Sequence, residues 1–88
     1  MYRVEFTRRA RGQLTSLPKD TAARIARRID ALADDPRPRG FRKLTDVEVD
    51  LYRIRVGDYR VLYEIRDDVL IVLIVRVGKR DEALYRGL

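Results

Sequence analysis

The sequence contains no cysteine and no histidine. Without cysteine there is neither a disulfide framework nor a thiolate metal site. That excludes the usual small secreted scaffold and fits a reducing cytoplasm. Without histidine, the side chain that most often serves as acid and base near neutral pH is missing. Long apolar runs are missing too. The longest, from Val69 to Val75, is far too short to span a bilayer as a helix. The opening residues, MYRVEFTRRA, carry charges where a signal peptide has its apolar stretch. No repeat, low-complexity segment or linker is visible. A soluble cytoplasmic protein with no membrane partner is expected, residues 1–88 forming one small domain.

What is present is positive charge. The net charge is +6 over 88 residues, and only Lys19, Lys43 and Lys79 are lysines, so arginine carries the excess. A surplus of this size on a small body favours a polyanionic partner such as nucleic acid or the ribosome. The plainer alternative is a solvated surface that happens to be basic.

Periodicity changes once along the chain. YRVEF alternates Tyr2, Val4 and Phe6 with Arg3 and Glu5, the pattern of a first strand. Thr7 can cap a helix in which Ala10, Leu14 and Leu17 share one face. Pro18 is placed to open a second helix, with a stripe of Ala22, Ile25, Ala26, Ile29, Leu32 and Ala33. Asp35-Pro36 ends it. From Phe41 the period is two. FRKLTDV predicts a weak strand and DLYRIRV a clean one. Gly57-Asp58 is a two-residue hairpin signal of type II′, and YRVLYEI the returning strand. Asp67-Asp68 predicts a second tight turn. VLIVLIVRV, from Val69, predicts a central strand covered on both faces. The tail, GKRDEALYRGL, has room for one helical turn.

The fold class is therefore α+β: an N-terminal strand and a helical hairpin packed on one face of a twisted, mainly antiparallel sheet. Tyr52, Ile54, Val56, Tyr59, Val61, Tyr63 and Ile65 should face the helices. The opposite face then receives Arg53, Arg55 and Arg60, with Arg55 directly across from Arg60. A like-charge pair in that position destabilises a hairpin. An anion held between the two guanidinium groups reverses the sign of that cost. The alternative is a solvated arginine face offset by Glu64 or an acidic tail residue. The same register sets Leu62 beside Leu73, with Ile71 and Val75 pointing the same way. A face of arginines and exposed aliphatics calls for a cover, either a partner or the C-terminal segment folded back. Strict alternation sends Arg80 to the core side, so a bulge near Gly78 is needed to bring it round. The cluster Arg37, Arg39, Arg42 and Lys43 reads as a solvated loop with a secondary chance of gripping ribosomal RNA.

Taken together, the element order, the hairpin YRIRVGDYRVLYEI and the later VRVGKRDEALY resemble the RelE/ParE toxin superfamily of type II toxin–antitoxin systems, and the RelE-like branch in particular. The resemblance runs from VEFTRRA to GKR. It implies a ribosome-dependent endonuclease that cuts messenger RNA in the A site and inhibits translation. It also implies a cognate antitoxin, bound in a toxin–antitoxin hetero-oligomer, as a second partner beside the ribosome. Carried over, the basic positions before the turn fall on Arg53 and Arg55, where the best-known RelE pattern has lysines. The arginine after the turn is Arg60, the late arginine Arg80, and the C-terminal tyrosine Tyr85.

Cleavage by this route uses the RNA 2′-hydroxyl as nucleophile. Arginine keeps its proton, with a pKa above ~12, and is a poor general base. Arg53, Arg55 and Arg60 are therefore expected to hold the scissile phosphate and its developing charge. Arg80 is the acid candidate that the resemblance supplies. Tyr85 can stack on a base or orient the 2′-hydroxyl, or be a packing aromatic. Lys79 and Glu82 are the nearby groups with more tractable proton chemistry. Asp34-Asp35 and Asp67-Asp68 read as helix-end and turn residues, and no metal or other cofactor is expected. Two rival functions share the fold: a ParE-like poison of DNA gyrase, and a RelE-fold binding module with no catalysis. Arg60 and Arg80 in RelE-like positions favour RNA cleavage.

Overall fold

The computed structural model describes residues 1–45, 49–80 and 82–88. Strand β1 (Arg3–Phe6) leads into α1 (Arg8–Thr15) and α2 (Lys19–Ala31). The strands β2 (Arg42–Lys43), β3 (Tyr52–Val56), β4 (Tyr59–Arg66) and β5 (Ile71–Lys79) follow, and α3 (Glu82–Tyr85) closes the order. The sheet order is β1-β5-β4-β3-β2. β1 runs parallel to β5 and the other pairs are antiparallel. This is the α+β arrangement that the periodicity predicts.

The helices begin where the sequence signals them. Thr7 Oγ1 accepts the Ala10 amide at 3.1 Å and caps α1. Pro18 stands at the N-cap of α2, where its missing N–H costs nothing. Ala10, Ile25, Ile29 and Leu32 then pack on Ile54, Val56, Val61, Tyr63, Val72, Ile74 and Val77. Tyr52, Tyr59 and Ile65 border that core.

Four details depart from the sequence reading. The weak strand is only two residues long, and Asp46 and Val47, its expected end, lie outside the described residues. The second turn takes four residues, 67–70, with Leu70 at φ +54°. Val69 and Leu70 are therefore exposed turn residues, and β5 starts at Ile71. β5 is an interior strand, between β1 and β4, as expected, but it is not covered equally on both faces: Ile71, Leu73 and Val75 are only half-buried. Arg37 leaves the solvated cluster. It pairs with Asp67 at 2.9 Å, lies over the Tyr52 ring, and joins the loop after α2 to the turn after β4.

Tyr63 is fully buried, and its hydroxyl donates to the Pro36 carbonyl at 2.7 Å. Burial first, and Asp35 second, push this hydroxyl above its ordinary value of 10.0. The sign follows from the raised folded-state value. Its contribution to stability is complete below pH ~10 and is lost above it, because the unfolded chain ionises first. Tyr63→Phe is expected to cost about 1 kcal/mol at pH 7 by orphaning the carbonyl. Above pH ~10 the gap between parent and variant should narrow by up to about 1.4 kcal/mol per pH unit. Thermal melts at pH 7 and 11 check this; a gap that stays constant overturns it.

Candidate functional site

The β3–β4 hairpin turns at Gly57, φ +61°, with Arg55 opposite Arg60 and Arg53 opposite Leu62. Glycine takes that φ without the Cβ clash any other residue would meet. The three arginines share one face, as the alternation requires. Across the β4–β5 pair the register slips. Leu62 faces Arg76 while Tyr63 faces Ile74, so Val75 is the extra residue of a bulge. The bulge thus lies three residues before Gly78, and it corrects the expected neighbour of Leu62 from Leu73 to Arg76. It also turns Arg76, Gly78 and Arg80 onto the arginine face. Arg80 is held beside the hairpin turn, its amide donating to the Asp58 carbonyl at 3.4 Å.

The tail folds back over this face. Leu84 is 4 % exposed and lies against Gly78, and Leu62, which shares this face, is fully buried. Arg76, 7 % exposed, donates through Nη1 to the carbonyls of Leu84 at 3.1 Å and Arg86 at 2.6 Å. Both carbonyls lie at the C-terminal end of α3, where a cation also suits the helix dipole. The clamp sets Tyr85 over the arginines, where its hydroxyl accepts from Arg60 Nη1 at 2.9 Å.

All five residues singled out in the sequence line one cavity of about 610 Å3: Arg53, Arg55, Arg60, Arg80 and Tyr85. Arg42 and Lys43, expected to be solvated, complete its rim. An adjoining cavity of about 390 Å3 lies between Arg55, Arg60, Lys79 and Arg80. Among the described residues no carboxylate pairs with Arg53, Arg55, Arg60 or Arg80. Glu64 pairs instead with Arg66, at 3.2 Å. The side chains of Asp81 and Glu82 lie outside the described residues.

Arg53 is the unusual member. It is 4 % exposed, and its Nε has no partner among the described residues. Burial first, then the charges of Arg55 and Arg60, lower its pKa below the ordinary arginine value. A buried cation among cations, with a donor unmet among the described residues, is costly to the fold unless an anion meets it. Lys79 sits over the Tyr59 ring at 6.0 Å and also borders the smaller cavity. Among the described residues no three His, Cys, Asp or Glu gather as a metal-ligand set.

Sequence reasoning missed Arg76. The signal was there, a lone arginine inside the apolar run of β5, but only the bulge and the tail give it a role. Arg76→Ala is expected to free the tail without unfolding the sheet. Losing two charge-assisted bonds, worth about 2 kcal/mol, should speed amide exchange at Arg86 and Leu88 by more than tenfold. Both amides are hydrogen-bonded in the docked tail. Exchange equal to the parent's would show that the clamp holds nothing.

The fold and site define a class: a small basic α+β domain with helices on one sheet face and a convergent arginine cleft, partly roofed by its own tail, on the other. Residues 4–84 match the family described as the ParE toxin of type II toxin–antitoxin systems. The chain belongs to that family, within the RelE/ParE toxin superfamily. It is similar to a chain in the archaeal RelE–RelB complex of Pyrococcus horikoshii, with 34 % identity and a TM-score of 0.78 over 92 % of this chain and 97 % of that one. A chain of the Mycobacterium tuberculosis toxin–antitoxin complex RelBE2 gives 34 % and 0.80 over 90 % and 98 %. The Escherichia coli RelBE complex gives 24 % and 0.79 over 93 % and 100 %, a likeness of fold.

Proposed function

We propose that this protein is a RelE-like toxin that cuts messenger RNA in the ribosomal A site and so inhibits translation in the cytoplasm. The observation that carries the reading is the convergence of Arg53, Arg55, Arg60, Arg80 and Tyr85 on one cavity. Arg53 and Arg55 hold the scissile phosphate, and Arg60 stabilises the charge that develops on it. Arg80, at the mouth of both cavities, faces the leaving 5′-oxygen. Tyr85 aligns the 2′-hydroxyl or the base above it. The site is poor in proton-transfer groups. Alignment of the substrate by the ribosome supplies the missing rate, since positioning alone is worth several kcal/mol.

A cognate antitoxin is the second partner. The similar chains from Pyrococcus and Mycobacterium were both captured with an antitoxin. We place this chain's antitoxin over the Arg53/Arg55/Arg60 face or in the position of the tail beyond Arg80; a complex leaving both regions open would refute that placement. The test of activity is primer extension on a defined messenger RNA, with ribosomes stalled at a known codon and again without ribosomes. Cuts at the A-site codon that need ribosomes support the reading. The family match to ParE toxins favours one alternative, gyrase poisoning. Folded protein that cuts nothing but blocks DNA supercoiling would establish it.

A further inference from the structure

β2 pairs with β3 through Arg42 and Lys43 alone, opposite Arg53 and Tyr52. Before Arg42 the chain turns away, with Gly40 at φ +90° and the Phe41 amide bonded to the Pro38 carbonyl. A non-glycine residue at that φ is strained, so Gly40 fixes where β2 begins. The edge of β3 beyond Arg53 is left without a neighbouring strand among the described residues. A cavity of about 410 Å3 opens there, bounded by Phe41 and Ile54 and by five arginines: Arg28, Arg39, Arg42, Arg53 and Arg55. Among the described residues no carboxylate lines it. Arg28 comes from α2, one turn after Arg24, whose guanidinium crowds Gly57 at the far end of the same strand. Arg53 and Arg55 line both this cavity and the larger cleft. Their Cα atoms are about 6.6 Å apart along β3. The cavity therefore wraps the sheet edge and joins the α2 side to the arginine face.

We infer that this cavity is a second phosphate subsite, which holds the backbone of a single-stranded RNA next to the arginine cleft. The inference rests on the RNA reading above and adds Arg28 and Arg39 to it. Five guanidinium groups around one space repel one another, and among the described residues no carboxylate pairs with any of them. The buried Nε of Arg53 has no acceptor among the described residues. A phosphodiester answers both: it offers unprotonated oxygens to a planar donor fork and cancels the repulsion. A chain of phosphates suits the place better than a single free anion, because the two cavities share a wall. A strand with one phosphate in the cleft has the next ones within reach of Arg28, Arg39 and Arg42.

The test is the salt dependence of binding, followed by fluorescence anisotropy, with a labelled oligonucleotide that lacks the reactive 2′-hydroxyls. For single strands the slope of log K against log salt is about −0.7 per phosphate neutralised. Arg28→Ala/Arg39→Ala should flatten the parent slope by about 0.7 for each phosphate the cavity holds. Arg8→Ala/Arg27→Ala removes the same charge from exposed positions outside the cavity and should leave the slope near the parent's. Equal slopes for the two double variants would overturn the subsite and leave the cleft standing. A parent that shows no salt-dependent binding would overturn the RNA reading and the subsite together.

Discussion

Arg60→Ala is expected to slow ribosome-dependent cleavage by about 10²–10³-fold, the usual cost of one oriented donor to developing charge. Growth arrest on expression should disappear with it. Arg60 stands directly across the hairpin from Arg55, and its side-chain partner in the described structure is the Tyr85 hydroxyl. Removing it breaks one bond to the tail and relieves one like-charge opposition, so the fold should survive. Arg80→Ala should behave in the same way, since Arg80 is tied to the hairpin through its backbone amide and its side chain lines both cavities. The measurement is the cleavage rate by primer extension, with circular dichroism to confirm folding. Two folded variants that cut at the parent rate would remove both arginines from the site.

Arg53→Met is expected to move stability and function in opposite directions. The guanidinium is buried, lacks a carboxylate partner among the described residues, and is flanked by Arg55, Arg60 and Arg42. An uncompensated buried charge destabilises, and an apolar side chain of similar volume often stabilises by a kcal/mol or more. A gain of about 1–2 kcal/mol in a domain of this size raises the melting temperature by roughly 5–15 °C. The same change removes the guanidinium shared by the cleft and the edge cavity. RNA binding should weaken and cleavage should fall, although the protein melts later. A variant that melts earlier than the parent would mean that Arg53 contributes to the fold, and its anion-binding role would lose its main support.

Under the proposed function, this opposition accounts for the arginine face. Stability alone would not place Arg55 across from Arg60, or bury Arg53 beside them. Such breaches of local preference mark function more often than accident. The tail tempers the cost. Arg76 is satisfied by two carbonyls, and Tyr85 shares Arg60. The roof is short, and the anions it leaves room for are the proposed substrate.

The sequence by itself determined the local geometry. Alternation in YRIRVGDYRVLYEI fixed which side chains share a face, because side chains on a strand repeat every two residues and the Gly57 turn leaves one register. The helices were legible for the same reason: Thr7 and Pro18 start them and the apolar spacing orients them. Only the tertiary structure decided where those faces go. A bulge at Val75 carries no sequence signature, yet it turns Arg76 and Arg80 onto the arginine face. The burial of Arg53 and the docking of Leu84 depend on contacts between segments far apart in the chain. The reach of Arg28 from α2 to the edge of β3 depends on β2 beginning only at Arg42. Periodicity reports on a residue's neighbours along its own element. It does not record a one-residue slip between two strands, or what another segment lays on top.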